Sequence, residues 1–177
     1  MSLNFAAMEK YAIYFQQGVL YTVVLSFFTV AFGFVIALVL ALIRIAKPGR
    51  STGSKIVVGI LQTFAKLYVE FIRGTPMLVQ LYLMFYVVFG TMGLKAPQFT
   101  LFGFVQGDRL IPGIIALSLN SGAYVSEIIR AGIQGIDYGQ TEAARSLGMT
   151  AAQNMRYIVL PQAIKNILPA IANEFVT

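Results

Sequence analysis

Two pairs of ionisable residues share one spacing: Glu70 with Arg73, and Glu127 with Arg130. Residues three apart are neighbours on a helix surface, so each pair can close an ion pair on one face. Asn120, Tyr124 and Glu127 fall at i, i+4 and i+7, a row of polar groups along a single helical face. Beyond these the reactive chemistry is thin. Cys and His are both absent, which removes disulfides, thiolates, the common metal ligands and every His-based triad. The acidic residues number 7 and are scattered singly, with no carboxylate pair at a useful spacing. Neither a catalytic residue nor a metal site is read from the chain. The segment GRSTGSK at 49–55 superficially resembles a phosphate-binding loop. That loop needs four residues between its glycines, then Gly-Lys-Ser/Thr, after a strand; here the order is wrong and an apolar helix precedes it.

The elements that must hold these residues are apolar. Of 177 residues, 58% are hydrophobic and 11% charged, against roughly 25% charged in ordinary soluble domains. No charge occurs from Tyr11 to Ile43, well beyond the ~20 residues that cross a bilayer. The chain therefore reads as one all-α, polytopic membrane domain over 1–177. The net charge of +6 comes from basic residues beside apolar spans, so it reports topology rather than nucleic-acid binding. MSLNFAAMEK has no basic n-region and the following run is too long for a signal peptide, so the first span is expected to be retained.

Span one is predicted over 18–43. A helix of that length measures ~39 Å and exceeds the ~30 Å hydrocarbon core, so tilt is expected. Arg44, Lys47, Arg50 and Lys55 follow without an acid among them. Span two is predicted over 56–90, bent near 74–76, where Pro76 removes a donor and disfavours helix at Thr75. The Gly- and Pro-rich stretch 90–113 reads as an external connection with a short interfacial helix on its phenylalanines. Span three is predicted over 110–134, and a further span opens at 166. With the N-terminus outside, Lys and Arg at 44, 47, 50, 55, 66, 73, 130, 145, 156 and 165 lie inside, against 10, 95 and 109 outside.

Residues 137–161 fall on the cytoplasmic side and break the apolar pattern. Asp137 with Gln140 suits a capped helix start, and Gln140 to Leu147 are good helix formers. Gly148 supplies a left-handed stop. Thr150 with Gln153 repeats the capping signature, and a second helix is predicted to run to about Leu160, before Pro161. The result is a compact helix, glycine turn and helix.

These residues carry a family resemblance. Glu142, Ala143, Ala144, then Gly148, Ile158, Leu160 and Pro161 have the spacing of the EAA motif, and the chain resembles ABC importer permeases with a MetI-like helical bundle. YVEFIRGTPMLVQL (68–81) and SLNSGAYVSEIIRAGIQGI (118–136) resemble the polar amino-acid uptake subfamily, and the likeness covers roughly 15–177. It implies a multi-pass subunit of the bacterial cytoplasmic (inner) membrane that dimerises, with a copy or a related permease, around a translocation path. It also implies ABC ATPase subunits gripping the EAA helix, and an extracytoplasmic amino-acid-binding protein. ATP and Mg²⁺ belong to the ATPase partner, so this chain needs no cofactor and is not itself an enzyme. Such permeases have further spans after the segment ending at Glu174 to Thr177, so the bundle is expected to be truncated at its C-terminus.

Within that frame Asn120, Ser121 and Tyr124 are candidates for the substrate path, because polar residues inside membranes usually face a watery route or another helix. The competing role is interhelical hydrogen bonding. Glu70, Arg73, Glu127 and Arg130 are expected to form a structural ion-pair network joining spans two and three. Gly122 and Gly132 are expected to let helices approach closely. The rival readings are a permease for another small solute and a non-transporting membrane scaffold. A secondary transporter lacks the deep acidic residues that ion coupling requires.

Overall fold

The computed structural model describes residues 11–174. Lys10 and the residues after Glu174, to which the sequence assigns an external position and a further span, lie outside the described residues. The order is α1 (Ala12–Ile45), α2 (Thr52–Gly74), α3 (Met77–Tyr82) continued by a π-helical stretch Leu83–Thr91, β1 (Thr100–Leu101), β2 (Val105–Gln106), α4 (Gly107–Gln134), α5 (Tyr138–Ser146), α6 (Ala151–Asn154), a π-helical turn Met155–Val159, and α7 (Leu160–Glu174). The fold is all-α but for one short hairpin. Among the described residues, α1 alone is long and apolar enough to cross a membrane, and Thr52–Gly74 with Met77–Thr91 meets the same requirement as a broken pair. Helix α4 is 28 residues long, but Ser118, Asn120, Ser126, Glu127 and Arg130 dilute its apolar character.

The described residues form two compact units, one from 11–31 with Pro76–Ser118, the other from Phe32–Thr75 with 119–174. In the first, Val105, Leu110 and Ile114 are buried with Tyr21, Val24, Leu25 and Phe104 against them. The stretch predicted to hold an interfacial helix instead folds as an antiparallel hairpin pairing Thr100 with Gln106 and Leu101 with Val105. Local chemistry explains the difference: Phe102 and Gly103 both take positive φ, and Phe104 N–H donates to Leu101 O at 3.2 Å, closing a tight turn.

The second unit is built on small residues. Ala37 and Ala41 of α1 pack with Val125 and Ile129 of α4 and with Ala163 and Ile167 of α7. A Cβ at Gly122 would lie 2.7 Å from Ile36 Cγ2, and one at Gly132 would overlap Ile167. Glycine at these points sets how closely the helices approach. Gln62 of α2 reaches the end of α1, donating to Ala46 O at 2.8 Å and to Ile43 O at 3.3 Å, where helical carbonyls lack partners.

Two boundaries differ from the sequence-based expectation. No helix ends at Leu160 and none begins at 166; the helical path runs from Ala151 to Glu174 through Pro161. Proline is accommodated because Met155–Val159 is wound as a π turn, in which Leu160 N–H donates to Met155 O. The wider register gives the proline ring room that the i−4 carbonyl would otherwise occupy. Helix α1 also begins at Ala12, earlier than 18, since nothing from Ala12 to Gly18 breaks a helix.

Candidate functional site

The segment 137–161 forms a small knuckle whose geometry follows from its sequence. Asp137 caps α5, its side chain accepting from Gly139 N–H at 2.6 Å. Helix α5 then ends in a Schellman closure: Met149 N–H donates to Ala144 O at 3.0 Å and Gly148 N–H to Arg145 O at 2.9 Å. Gly148 has φ +80°, and no atom lies within 4 Å of where its Cβ would stand. Thr150 opens α6 with a reciprocal cap, Thr150 N–H donating to Gln153 Oε1 at 2.8 Å while Gln153 N–H donates to Thr150 Oγ1 at 3.3 Å. A side-chain bond from Asn154 Nδ2 to Thr141 Oγ1 at 3.1 Å ties the two short helices together.

The candidate coupling residues divide by exposure. Glu142 and Ala143 are exposed, whereas Ala144 is buried. Beside Gly148, Leu147 is 83% exposed, an unusual placement for leucine. Ile158 is half-buried, and Leu160 and Pro161 are exposed. Tyr157 is exposed as well. The knuckle thus presents Glu142, Ala143, Leu147 and Gly148 outward and anchors itself through Ala144, Asn154 and Val159.

The polar row of α4 is engaged by neighbouring helices. Asn120 is buried, and Ser121 is half-buried against Gly33 of α1. Tyr124 lies beneath Arg73, whose guanidinium carbon is 5.2 Å from the ring centroid, a cation–π distance. Tyr68 Oη donates to Leu119 O at 2.8 Å. Helix α2 therefore meets α4 through an aromatic contact and a hydroxyl.

The ion pairs are arranged differently from the sequence-based expectation of a link between spans two and three. Glu127 is shared between Arg130, on its own helix, and Arg44, at the end of α1, at 2.5 Å. Arg130 also reaches Gln134. Glu70 lies 3.7 Å from Lys66 on α2, both largely exposed. Arg73 is instead turned over Tyr124 of α4, and Glu70 is left to Lys66, one turn back on its own helix. Arg44 is the partner that pairwise spacing missed.

An almost wholly helical chain with a bilayer-length apolar helix and an exposed, doubly capped knuckle has the all-α, MetI-like fold. Residues 52–177 match the family described as binding-protein-dependent transport system inner membrane component, and the chain belongs to that family. It is 40% identical over 177 residues to the arginine transport system permease protein ArtQ of Bacillus subtilis, covering 100% of this chain and 71% of ArtQ. It is 41% identical over 164 residues to the permease protein GlnP of Rickettsia bellii, covering 93% of this chain and 66% of GlnP. With the L-cystine transport system permease protein TcyB of Bacillus subtilis the identity is 38% over 160 residues, covering 90% of this chain and 59% of TcyB. A solved structure described as a crystal structure of an amino acid ABC transporter with histidines matches with a TM-score of 0.80 and 43% identity, over 99% of this chain and 72% of that one. The chain spans 64–66% of the length of the Rickettsia relatives that it matches.

Proposed function

We propose that this chain is transmembrane permease material of an ATP-driven importer for a polar or charged amino acid, with ATP hydrolysed on a separate subunit. The observation that carries the reading is the EAA spacing from Glu142 to Pro161 on an exposed, doubly capped knuckle, within a chain of the transport-component family. The subfamily assignment is supported by relatives named for arginine and L-cystine transport. The chain spans the bacterial inner membrane several times with its N-terminus outside, pairs with a second permease subunit, and receives solute from an extracytoplasmic binding protein.

In this mechanism the ATPase grips Glu142, Ala143, Leu147 and the Gly148 turn. Ala143 lets a partner backbone approach closely, and the Schellman closure keeps the turn from flexing when pushed. Closure of the ATPase dimer moves the knuckle as one piece, and helix α7, continuous with α6, carries the displacement into the α1–α4 packing. Coupling requires that the ATPase favour one permease conformation over the other. Asn120 and Ser121 lie along the path, and Tyr124, held by Arg73, sets its width.

The test is direct. A photocrosslinker at position 142 is expected to capture a nucleotide-hydrolysing subunit, and Gly148→Val is expected to weaken its co-purification. Capture of lipid alone, or of proteins from the opposite side of the membrane, refutes the assignment. ATPase stimulation of the assembled complex across a panel of amino acids, each with the binding protein, identifies the solute.

A further inference from the structure

A cavity of about 480 Å³ opens where the end of α1 and the end of α4 meet α5 and α6. Its polar lining is Arg44, Lys47, Gln134, Tyr138, Thr141, Arg145 and Asn154. Two independent features call for an occupant. The first is charge. Arg44 is compensated by Glu127, whereas Lys47 and Arg145 carry no ion pair among the described residues. The second is an orphaned amide. Asn154 is only 6% exposed, its Nδ2 donates to Thr141, and its Oδ1 is buried without a donor. Reversing the amide merely moves the vacancy, leaving an N–H without an acceptor. A group that both donates and accepts, such as a hydroxyl, satisfies either orientation.

An ammonium and a guanidinium without counter-ions select a phosphate, which a guanidinium binds with two parallel hydrogen bonds. The volume is of the size that holds a small organic ligand. The wall also carries Ile45, Ile133, Ile136, Met155 and Val159, apolar side chains beside the cations. Cationic and apolar surfaces side by side fit a molecule with a charged head and hydrocarbon tails, and basic residues at a cytoplasmic membrane surface are drawn to anionic lipid.

We propose that this cavity seats a hydroxyl-bearing phosphate ester, the phosphoglycerol headgroup of an anionic bilayer lipid, with its phosphate on Lys47 and Arg145 and a hydroxyl on Asn154. The placement at the cytoplasmic leaflet rests on the topology proposed above. The headgroup bridges the end of α1 and the knuckle, so lipid occupancy biases the position of the lever that the ATPase moves.

The full chain, reconstituted in nanodiscs of phosphatidylglycerol and phosphatidylcholine, is stripped of bulk lipid and its retained lipid is weighed by native mass spectrometry. The expected result is one tightly held phosphatidylglycerol. Retention falls about tenfold in Lys47→Gln/Arg145→Gln and in Asn154→Leu, and is unchanged in Lys55→Gln, a basic residue in the first turn of α2 and outside the cavity. Should Asn154→Leu lose its helical circular dichroism, Asn154→Asp replaces it, since the carboxylate repels a phosphate at nearly constant size. Titration with glycerol 3-phosphate separates the sources: displacement of the lipid admits a soluble ester to the site, and resistance restricts it to the bilayer. Equal retention in all variants overturns the proposal, as does an equal loss in the Lys55→Gln control. Lipid retention is read without an ATPase, so it and the crosslink from position 142 fail independently.

Discussion

Glu127 holds one negative charge between two guanidinium groups, and its side chain is 22% exposed against 14% for Arg44 and 26% for Arg130. Removing the carboxylate leaves two cations facing each other in a half-dry site. A fully buried pair broken this way costs about 3–5 kcal/mol; partial exposure reduces that to roughly 1–3 kcal/mol. Glu127→Gln is therefore expected to lower abundance and thermal stability in detergent while leaving solute preference alone. Normal abundance with altered preference would assign Glu127 to the substrate path instead. Arg44→Gln in the Glu127→Gln background is expected to cost less than its single effect, since the two act as one unit, and a double-mutant cycle on unfolding temperature measures this. Sequence disclosed Glu127 and Arg130 as a pair because they lie within one helical turn. It hid Arg44, separated by 83 positions, because only helix packing brings that residue near.

At the scale of elements, the knuckle depends on a backbone conformation and the bundle on close approach. Gly148 has open space where a Cβ would stand, so a side chain there is opposed by φ rather than by neighbours in this chain. A left-handed conformation costs an ordinary residue about 1–2 kcal/mol, less for Asn and more for a β-branched residue. Gly148→Asn is expected to preserve the helical signal and unfolding temperature of the chain better than Gly148→Val. Equal losses would show that the turn can rebuild without a left-handed residue. Gly132 is limited in the opposite way, by Ile167 of α7. Gly132→Ala is expected to destabilise by about 1–3 kcal/mol through overpacking, and Ile167→Ala in the same chain to recover part of it, read by thermal unfolding. Additive losses would argue against direct contact. The Thr150 cap and the glycine stop are legible in sequence because each lies within a few residues. The passage of the helix through Pro161 was not, because a π turn has no compositional signature comparable to that of proline.

For the whole molecule, orientation is the property most open to test, and the composition makes the test clean. The sequence contains 0 Cys, so any single introduced thiol reports alone. Lys55→Cys is expected to react with an impermeant maleimide only after the cytoplasmic face is opened, and Lys95→Cys in intact cells. The reverse pattern would invert the topology and remove the knuckle from reach of a cytoplasmic ATPase. Accessibility also bears on the lipid proposal: a bound headgroup is expected to shield Ala151→Cys, on the cavity wall, less in phosphatidylcholine than in phosphatidylglycerol.

The sequence by itself determined the class of this protein. Its uncharged run from Tyr11 to Ile43, its lack of Cys and His, and the spacing from Glu142 to Pro161 are properties of the chain in one dimension. Local rules convert them directly into a membrane helix, the absence of His- or thiol-based chemistry and a capped knuckle. Tertiary structure decided which charges meet, placing Arg44 on Glu127 and Arg73 over Tyr124. It also decided which polar atoms are left wanting, as with Asn154 Oδ1. Periodicity gives the face on which a side chain stands, but only the approach of Gly33, Gly122 and Gly132 to their neighbours fixes what stands opposite.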